Sequence, residues 1–375
     1  MLHCSTDSPP STVRPQMHYI FVIFALGLGV QAALGTHPPQ PTTTCTITPL
    51  NDDAVDGYEQ QFPSMGTLVT LQAFATDPTQ AKTAFAAAQA EVERLVAMMS
   101  DYDPDSELSQ INRQAGSGQW SQVSPELWEV LEASDRWHQL SNGAFDASLG
   151  ALTRMWRKAR RQNKIPTQVE IENALERCGW KHVELDRDQK RVRLNVAGMY
   201  LDLGAIAKGY IVDRAFQKLQ ADGLTACLVN AGGNLRCGAA PPNRPGWRIE
   251  ISSLQEGEPP LRRIFLKDAA ISTSGDLWQF IIIEGKRRSH ILDARTGIGI
   301  EGPVSVSVIA PNAQDADAAS TSLCILGRER GLAALSTVSG CDALFLSKLD
   351  HEKSLAETPI TYTATPGFTR GFNQP

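Results

Sequence analysis

Apolar residues recur at helical spacing in much of the first half of the chain and at strand-like spacing in much of the second half. Between 79 and 99, Phe85, Val92 and Met99 fall on one face of a 3.6-residue repeat, which predicts a helix. Further helices are predicted at 125–140, from about 147, after 167, and at 206–219, 316–326 and 329–335. Strands are predicted at 65–75, 182–185, 192–196, 227–231, 247–251, 263–266, 277–283, 304–309 and 343–347. Because strands and helices do not alternate regularly, we expect a single mixed α+β domain and not a βαβ series.

The N-terminus has a pattern of its own. Residues 19–34 (YIFVIFALGLGVQAAL) contain no charge, Arg14 precedes them, and Ala33-Leu34-Gly35 offers small residues for a signal peptidase. The apolar stretch has the length of a signal-peptide core and is short for a membrane span. We therefore expect 1–35 to be an export signal, with an uncleaved anchor that associates the chain with a membrane as the alternative. Residues 36–57 are rich in Pro and Thr and predict a flexible linker, 58–350 the folded domain and 351–375 a C-terminal tail.

Composition excludes several classes of function. The formal net charge of the 375 residues is −6, and no basic run is interleaved with aromatic residues, so nucleic acid is not an expected partner. The seven cysteines include no C-x-x-C pair, which gives no support for a zinc site. The chain has neither G-x-S-x-G nor H-E-x-x-H, the motifs of serine hydrolases and zinc peptidases.

Asp317 and Thr321 form a candidate site for a hard cation. They are four residues apart in a predicted helix and therefore share a face. A carboxylate and a hydroxyl suit Mg²⁺ or Ca²⁺, and Mg²⁺ usually shares its remaining positions with phosphate and water. On spacing alone the structural alternative is favoured, namely an Asp stabilised by the helix dipole with a Thr packed beside it.

The segment Leu201–Tyr210 (LDLGAIAKGY) is a candidate anion site. A turn of small residues that opens a helix presents backbone N–H groups to an anion, and Lys208 lies one turn into the helix. A strand-to-helix junction whose glycines serve only packing is the alternative. Gly232-Gly233 after a predicted strand, the sequence 272–276 (STSGD) as a turn, and His290 near a strand end are further weak signals of the same kind.

Taken in order, eight short segments resemble the FAD:protein FMN transferase (ApbE) family. They are MGT (65–67), SDYDPDSELSQIN (100–112), GAFDASLGAL (143–152), LDLGAIAKGY (201–210), NAGGN (230–234), STSGD (272–276), HILDARTG (290–297) and ADAASTSLCILG (316–327). The resemblance covers roughly residues 60–345 and implies the family's single α+β domain. It also implies transfer of FMN from FAD to a Thr or Ser hydroxyl of an exported redox protein, with release of AMP. The leader agrees with a periplasmic location, or with attachment to the inner membrane facing the periplasm.

The resemblance also implies roles for individual residues. The Ala205 carbonyl, Asp317 and Thr321 would ligate Mg²⁺, and His290 or Asp317 would be the general base. The residues implied to contact FAD are Met65, Tyr102, Phe145, Asp146, Asp202, Lys208, Gly232, Gly233 and Asp293. The chain departs from the family pattern at Ala294, where the family usually has Pro.

Three functions compete at this point. The leading hypothesis is Mg²⁺-dependent FMN transfer to a protein. The alternatives are an FAD pyrophosphatase that makes FMN and AMP, and a non-catalytic flavin-binding protein. Relatives with a hydrolytic bias tend to have Asn where this chain has Tyr102, which favours transfer.

Overall fold

The computed structural model describes residues 21–22, 48–50, 57–162, 164–254, 258–277, 279–283, 285–348 and 359–370. The predicted leader and linker lie almost wholly outside the described residues. The helices are α1 (Pro78–Met99), α2 (Glu107–Arg113), α3 (Pro125–Leu140), α4 (Gly150–Gln162), α5 (Gln168–Leu175), α6 (Ala207–Ala221), α7 (Ala313–Leu335) and α8 (Pro366–Arg370). The strands are β1 (Phe21–Val22), β2 (Thr48–Leu50), β3 (Gly57–Ser64), β4 (Thr67–Phe74), β5 (Ser121–Gln122), β6 (Val183–Asp186), β7 (Arg191–Leu194), β8 (Cys227–Ala231), β9 (Asn234–Cys237), β10 (Trp247–Ile251), β11 (Arg262–Leu266), β12 (Ala269–Gly275), β13 (Phe280–Ile283), β14 (Lys286–Asp293), β15 (Ile298–Glu301), β16 (Val304–Ala310), β17 (Asp342–Ser347) and β18 (Thr361–Ala364).

A nine-stranded sheet carries the fold, in the order β18-β17-β16-β12-β9-β8-β4-β3-β2. Its pairings are antiparallel. Val229 on one face of β8 belongs to the main core with α1, α6 and α7, whereas its neighbour Leu228 belongs to a second core with β10 and β11. Because both faces are covered, β8 (CLVNA) is apolar on both faces apart from Asn230.

A smaller cluster lies beside this sheet. Helices α4 and α5 pack against the three-stranded sheet β13-β14-β15, where Trp156, Ile171 and Leu292 are buried together. The Trp156 indole donates to the Gly297 carbonyl over 2.7 Å, which ties α4 to the hairpin between β14 and β15. This unit brings the basic helix α4 and the strand that carries His290 to the same side of the molecule.

Three helices begin at side-chain caps. Ser106, Ser124 and Thr167 each accept a hydrogen bond from a backbone N–H of the first helical turn. Thr167 and Glu170 form a capping box. Each such cap satisfies a backbone donor that has no partner inside its helix.

Other local predictions are wrong. The sequence 272–276 was expected to form a turn, but residues 272–275 lie in strand β12, between β9 and β16, since pairing on both sides outweighs their polar character. Met65 was placed in a strand, but it is the first of two turn residues, with a φ of 51°. Helix α7 begins at Ala313, three residues before the predicted start, because Asn312 caps it. The predicted division of this region into two helices is confirmed, because Gly327 interrupts α7 with non-helical backbone angles, φ 72° and ψ 176°.

The described part of the C-terminal segment is ordered into the fold. Strand β18 pairs with β17 at the edge of the large sheet, and Phe368 is fully buried against the second core. The sequence had assigned this segment to a tail because its strand is short and polar. Within the described ranges, no helix is both long enough and apolar enough to cross a membrane.

Candidate active site

Two tight hairpin turns lie side by side at one end of the central sheet. Met65 and Gly66 join β3 to β4, and Gly232 and Gly233 join β8 to β9. The β4 and β8 strands are paired, so the turns are neighbours. A Cβ on Gly232 would lie 2.6 Å from the Thr67 hydroxyl, which excludes any side chain there.

The turn before α6 is arranged around Asp202. Its Oδ1 accepts a hydrogen bond from the Gly204 N–H over 2.9 Å, which holds the turn in place. The Gly204 carbonyl in turn accepts from Lys208 Nζ over 3.0 Å. Among the described side chains, none caps the start of α6 at Ile206. The N–H groups of Ala207 and Gly209 already donate to the Leu203 carbonyl and to Asp317, so within the described residues the Lys208 N–H is the first-turn donor left for an anion.

Asp317 lies directly behind this turn, on α7. It is only 2% exposed, and its Oδ2 accepts from the Gly209 N–H over 3.0 Å. Lys208 Nζ is 3.9 Å from the other carboxylate oxygen. Burial raises the pKa of Asp317, while Lys208 and the Gly209 hydrogen bond partly oppose that change. The ion pair is thus well placed but leaves one carboxylate oxygen weakly satisfied.

The close approach of α6 to α7 depends on Gly209. A Cβ at this position would lie 2.2 Å from the Ala313 carbonyl oxygen. The second contact between the helices is Asp213, whose carboxylate accepts from the N–H groups of Ala313 and Gln314 at 2.9 Å each. The sequence offered Gly209 only as a packing glycine, and the structure shows that this packing is what brings Lys208 to Asp317.

A cluster of hydroxyl groups lies beside Asp317, around Thr321. Thr321 Oγ1 lies 3.1 Å from Ser274 Oγ on β12, and Ser320 Oγ lies 2.8 Å from Ser274 Oγ. Ser320 also donates to the Asp317 backbone carbonyl over 3.0 Å. Sequence reasoning had noted the hydroxyls of β12 but not their convergence with α7, because only sheet pairing places β12 under that helix.

These residues fit a hard divalent cation. Asp317 and Thr321 are neighbours one turn apart on α7, and Ala205 lies in the turn that contacts Lys208. Carboxylate, hydroxyl and carbonyl oxygens are the donors that Mg²⁺ takes. The Lys208 ammonium lies between the Gly204 carbonyl and Asp317, so the site already holds one positive charge there. Within the described chain, no group of three or more His, Cys, Asp or Glu side chains could hold a metal, so any metal here would depend on this mixed oxygen set.

Tyr102 lies in an open position on the other side of Asp202. Its side chain is 72% exposed, and the Arg157 guanidinium lies 4.7 Å from the centre of its ring. Arg157 also pairs with Asp101 and, over 2.7 Å, with Asp202 Oδ2. The Arg157 guanidinium therefore links the loop of Tyr102 to the turn at Asp202, which precedes Lys208. The sequence gave no signal for Arg157, which is one of several basic residues on α4.

A cavity of about 570 Å³ opens beside Tyr102. Its basic lining residues include Arg154, Arg157, Lys158 and Arg161 on α4. Such a concentration of cations in a chain of net charge −6 makes a local positive field that favours an anionic ligand. The cavity lies next to the Tyr102 loop and not at Asp317, so it extends the site along α4.

His290 has a defined tautomer. Its backbone N–H and its Nδ1 both lie within hydrogen-bonding distance of the Gln279 carbonyl, at 3.0 and 3.2 Å. A carbonyl only accepts, so Nδ1 carries the proton and Nε2 keeps a free lone pair. Loss of surrounding water lowers the pKa of His290 below its usual 6.5, and Arg160 and Lys208 lower it further. His290 lies at the protein surface, and its lowered pKa keeps the ring neutral at pH 7.

Three other predicted site residues have structural partners. Phe145 is buried in the main core, so its side chain packs against core residues and only its backbone can contact groups outside the core. Asp146 accepts from the N–H groups of Ser148 and Trp180. Asp293 forms a two-bond ion pair with Arg295; desolvation alone would raise the pKa of Asp293, but the bonds and charge of Arg295 outweigh it and lower the pKa.

The five described cysteines are free thiols, four of them buried. None has a disulfide partner among the described residues. The Cys324 thiol on α7 donates to the Ser274 backbone carbonyl over 3.4 Å, beside the hydroxyl cluster.

Known proteins are similar to this chain in sequence and in structure over most of its length. The ApbE family model matches residues 65–345. The chain is 36% identical to an FAD:protein FMN transferase of Treponema pallidum, over 64% of this chain and 71% of the relative, and 31% identical to one of Vibrio cholerae, over 77% and 86%. The flavin transferase ApbE structure from Vibrio cholerae aligns with a TM-score of 0.74 at 27% identity, covering 84% of this chain and 99% of that one. The apo flavinyl transferase ApbE of Pseudomonas stutzeri aligns with a TM-score of 0.73 at 28% identity, covering 87% and 99%. The expected α+β fold and the resemblance are confirmed, and the chain belongs to the ApbE family.

Proposed function

We propose that this chain is an FAD:protein FMN transferase that moves FMN from FAD to a Thr or Ser hydroxyl of a protein. The observation that carries the proposal is the buried Asp317 carboxylate held against Lys208 and the Gly204 turn, in a chain whose relatives bear that activity in their names. This arrangement concentrates charge where a pyrophosphate would be cleaved.

The reaction is a phosphoryl-group substitution. The acceptor hydroxyl oxygen forms a bond to the phosphorus on the FMN side of the FAD pyrophosphate. The bond between that phosphorus and the bridging oxygen breaks, and the bridging oxygen leaves with AMP. The hydroxyl proton passes to a base, and the product is a phosphoester between FMN and the acceptor.

Mg²⁺ would be held by the Ala205 carbonyl, Asp317 and Thr321. When bound, it would neutralise pyrophosphate charge and stabilise the leaving AMP. Asp317 is then a ligand and is no longer free to accept a proton, which separates the two roles that the sequence had left open for it.

Lys208 and the start of α6 would bind the pyrophosphate directly. The ammonium is one-third exposed, and the Lys208 backbone N–H lies in the first turn of α6, at the positive end of the helix dipole. Donors held in place before the substrate arrives stabilise developing charge without reorganisation. Asp202 holds the turn that carries these donors.

His290 is the proposed general base. With Nδ1–H bonded to the Gln279 carbonyl, Nε2 can accept the proton of the acceptor hydroxyl. Its lowered pKa keeps the imidazole unprotonated at neutral pH, although a base of low pKa gives up driving force for the transfer. Loss of surrounding water is the main cause of the lowered pKa, and the nearby cations Arg160 and Lys208 add to it.

The flavin end of FAD would lie against Tyr102 and the basic cavity of α4. The exposed ring of Tyr102 offers a flat surface for an aromatic ligand, with Arg157 behind it. Met65 would pack against FAD, and Gly232 and Gly233, which have no side chain, would permit close approach of the dinucleotide.

We also propose that the chain is exported and acts in the periplasm or at the outer face of the inner membrane. The support is the uncharged stretch 19–34, which lies mostly outside the described residues. Mass spectrometry of the mature N-terminus tests this: cleavage near residue 35 supports an export signal, and an intact N-terminus supports an anchor.

Incubation of the full-length protein with FAD, Mg²⁺ and an acceptor tests the activity. The acceptor is a peptide with one central Thr, and a matched peptide with Ala at that position is the control. AMP release and flavin retained on the peptide after denaturation are measured together. Covalent flavin on the Thr peptide alone supports transfer, whereas equal AMP and free FMN with both peptides identifies a pyrophosphatase and contradicts the proposal.

A further inference from the structure

Four side-chain hydroxyls, those of Ser272, Ser274, Ser320 and Thr321, form a continuous hydroxyl row between strand β12 and helix α7. Ser274 Oγ is 2.8 Å from Ser320 Oγ and 3.1 Å from Thr321 Oγ1. Ser272 Oγ is 3.3 Å from Ser320 Oγ and 2.6 Å from the side-chain oxygen of Asn234 on β9. The row therefore joins β9 and β12 to the residue that would bind the cation.

The middle of the hydroxyl row is closed to water. Ser320 is 0% exposed and Ser272 is 1% exposed. Buried hydroxyls are hydrogen-bonded, and each can donate only one proton. Ser272 donates its proton to Asn234, because the side-chain oxygen of Asn234 can only accept. Ser272 is therefore left as an acceptor for the rest of the row.

The other end of the row fixes the direction of the remaining hydrogen bonds. Ser320 donates to the Asp317 backbone carbonyl over 3.0 Å, since a carbonyl can only accept. Its proton is then engaged, so the short contact with Ser274 requires Ser274 to donate to Ser320. Thr321 must in turn donate to Ser274. The opposite direction satisfies one contact fewer and leaves the Thr321 proton without an acceptor in the row.

This direction prepares the Thr321 oxygen for a cation. A hydroxyl that binds a metal ion must turn a lone pair toward the ion and its proton away from it. Because the Thr321 proton lies toward Ser274, it does not cover the oxygen lone pairs that a cation would use. Groups that orient the ligands of a metal ion change its affinity by about 10- to 100-fold.

Resting on the metal site of the proposed function, we propose that Ser274 and Ser320 are positioning residues that orient the Thr321 hydroxyl for a hard divalent cation. Ser274 accepts the Thr321 proton, and Ser320 accepts the Ser274 proton. Ser320 in turn donates to the backbone of Asp317, whose carboxylate is the other side-chain ligand. The polar residues of β12 therefore act on the cation through α7 and need no contact with FAD.

A second hydroxyl pair on the same sheet provides a matched control. Thr273 Oγ1 is 2.7 Å from Ser307 Oγ, and the two residues are paired between β12 and β16. Successive side chains of a strand point to opposite faces, so this pair lies on the face of β12 opposite Ser274. Ile271 on that face belongs to the second core, whereas α7 packs in the main core. Ser307→Ala thus removes a buried hydroxyl by the same chemical change, away from α7.

The first experiment measures metal binding without chemistry. Mn²⁺ is titrated into full-length wild type, Ser274→Ala, Ser274→Thr and Ser307→Ala without FAD, and free Mn²⁺ is read from its electron paramagnetic resonance signal. Asp317→Asn identifies the binding that belongs to this site. We expect Ser274→Ala to weaken that binding about tenfold, and the other two variants to stay within about twofold of wild type. Wild-type affinity in Ser274→Ala, or no Asp317-dependent binding in wild type, would overturn the proposal.

The second experiment separates orientation of the Thr321 hydroxyl from packing. Ser274→Ala is combined with Thr321→Ala, and the Mn²⁺ affinity is measured for all four proteins of the cycle. If Ser274 acts through the Thr321 hydroxyl, its loss should change the affinity of the Thr321→Ala variant by less than about twofold. An equal weakening in both backgrounds would show that Ser274 acts through packing, and it would contradict the proposal.

Ser320→Ala tests the hydroxyl row at its next residue. The variant removes the acceptor of the Ser274 proton but leaves Ser274 able to accept from Thr321, so a smaller weakening of Mn²⁺ binding, about threefold, is expected. A larger loss in Ser320→Ala than in Ser274→Ala would contradict the order of the row.

The outcomes separate this proposal from the proposed function. If Mn²⁺ binding depends on Asp317 and Ser274 but wild type forms no covalent flavin with FAD, Mg²⁺ and the Thr peptide, the transferase assignment fails and the orienting role stands. If covalent flavin forms and Ser274→Ala binds Mn²⁺ as wild type does, the transferase assignment stands and the orienting role fails.

Discussion

The two ends of the proposed site are built in different ways. At the inner end, Asp317 is buried, Gly209 brings α6 against α7, and Lys208 is bonded within the turn that it follows. At the outer end, Tyr102 and the β13 strand are exposed, and His290 lies at the surface. The inner end is complete before any ligand arrives, whereas the outer end presents open surfaces. This difference indicates that the inner end performs the phosphorus chemistry and the outer end selects what enters.

The largest effect is expected from Asp317→Asn. Loss of the charge removes the metal ligand and the partner of Lys208, so turnover should fall by about a thousandfold or more. Because the buried carboxylate is costly to ionise, the variant should be at least as thermally stable as wild type without metal. Steady-state AMP release and thermal denaturation test both statements. Activity within tenfold of wild type would remove Asp317 from the inner end.

His290→Gln should reduce transfer by about a hundredfold, since one proton acceptor is lost. AMP release to water should fall less, because water does not need the positioned base at the acceptor site. In wild type, protonation of a base with a lowered pKa sets in only at acid pH, so kcat/KM for transfer should remain level from pH 7.5 down past 6.5. A midpoint at or above 6.5 would show that His290 is not the group whose protonation limits the rate.

Arg157→Lys tests the connection between the two ends. Lysine keeps the charge but cannot bond Asp101 and Asp202 together while stacking on Tyr102. The KM for FAD should rise about tenfold, with a smaller change in kcat. Lys158→Arg, also on the lining of the basic cavity, is the charge-preserving control and should have little effect. Equal changes in both variants would mean that Arg157 contributes charge and not position.

Much of the inner end could be predicted from sequence because the residues of each of its two segments are close together along the chain. Asp317 and Thr321 are separated by one helical turn, and Gly204 and Lys208 flank one helix start, so spacing alone grouped them. How closely these two segments approach each other depends on Gly209, because the packing of α6 against α7 at this glycine sets the distance between them. The sequence only suggested that packing. The Ser274 hydroxyl was noted but assigned to a turn, since the pairing of β12 with strands far apart in sequence is not visible locally.

The outer end was less predictable. Arg157 acquires its role from Asp101, Asp202 and Tyr102, which lie 45 to 56 residues away in sequence. Strand β13 was expected within 277–283, but its position at a sheet edge comes from the absence of a neighbouring strand among the described residues, which no local pattern encodes. Phe145 was expected along the nucleotide and is in the core, because a small apolar motif does not tell packing from contact.

The smallest effect concerns stability and not activity. Burial raises the pKa of Asp213 to about 6, although it accepts two N–H bonds at the start of α7. The folded protein then binds a proton that the unfolded chain, with a pKa of 3.8, has released, so stability falls as pH rises from about 4 to 6 and is level above. Asp213→Asn should remove this slope. Denaturant unfolding at pH 4.5 and 7 measures it, and an unchanged slope in the variant would assign it to another group.

The division between the two ends is tested most directly by the ratio of peptide-bound flavin to AMP in His290→Gln and Asp317→Asn, each compared with wild type at a subsaturating concentration of the Thr peptide. We predict that His290→Gln keeps a larger share of its AMP release without peptide than of its covalent flavin formation with peptide. Asp317→Asn should lose AMP release and covalent flavin together. If both variants lose the two products in the same proportion, the inner and outer ends do not divide chemistry from selection, and the account is contradicted.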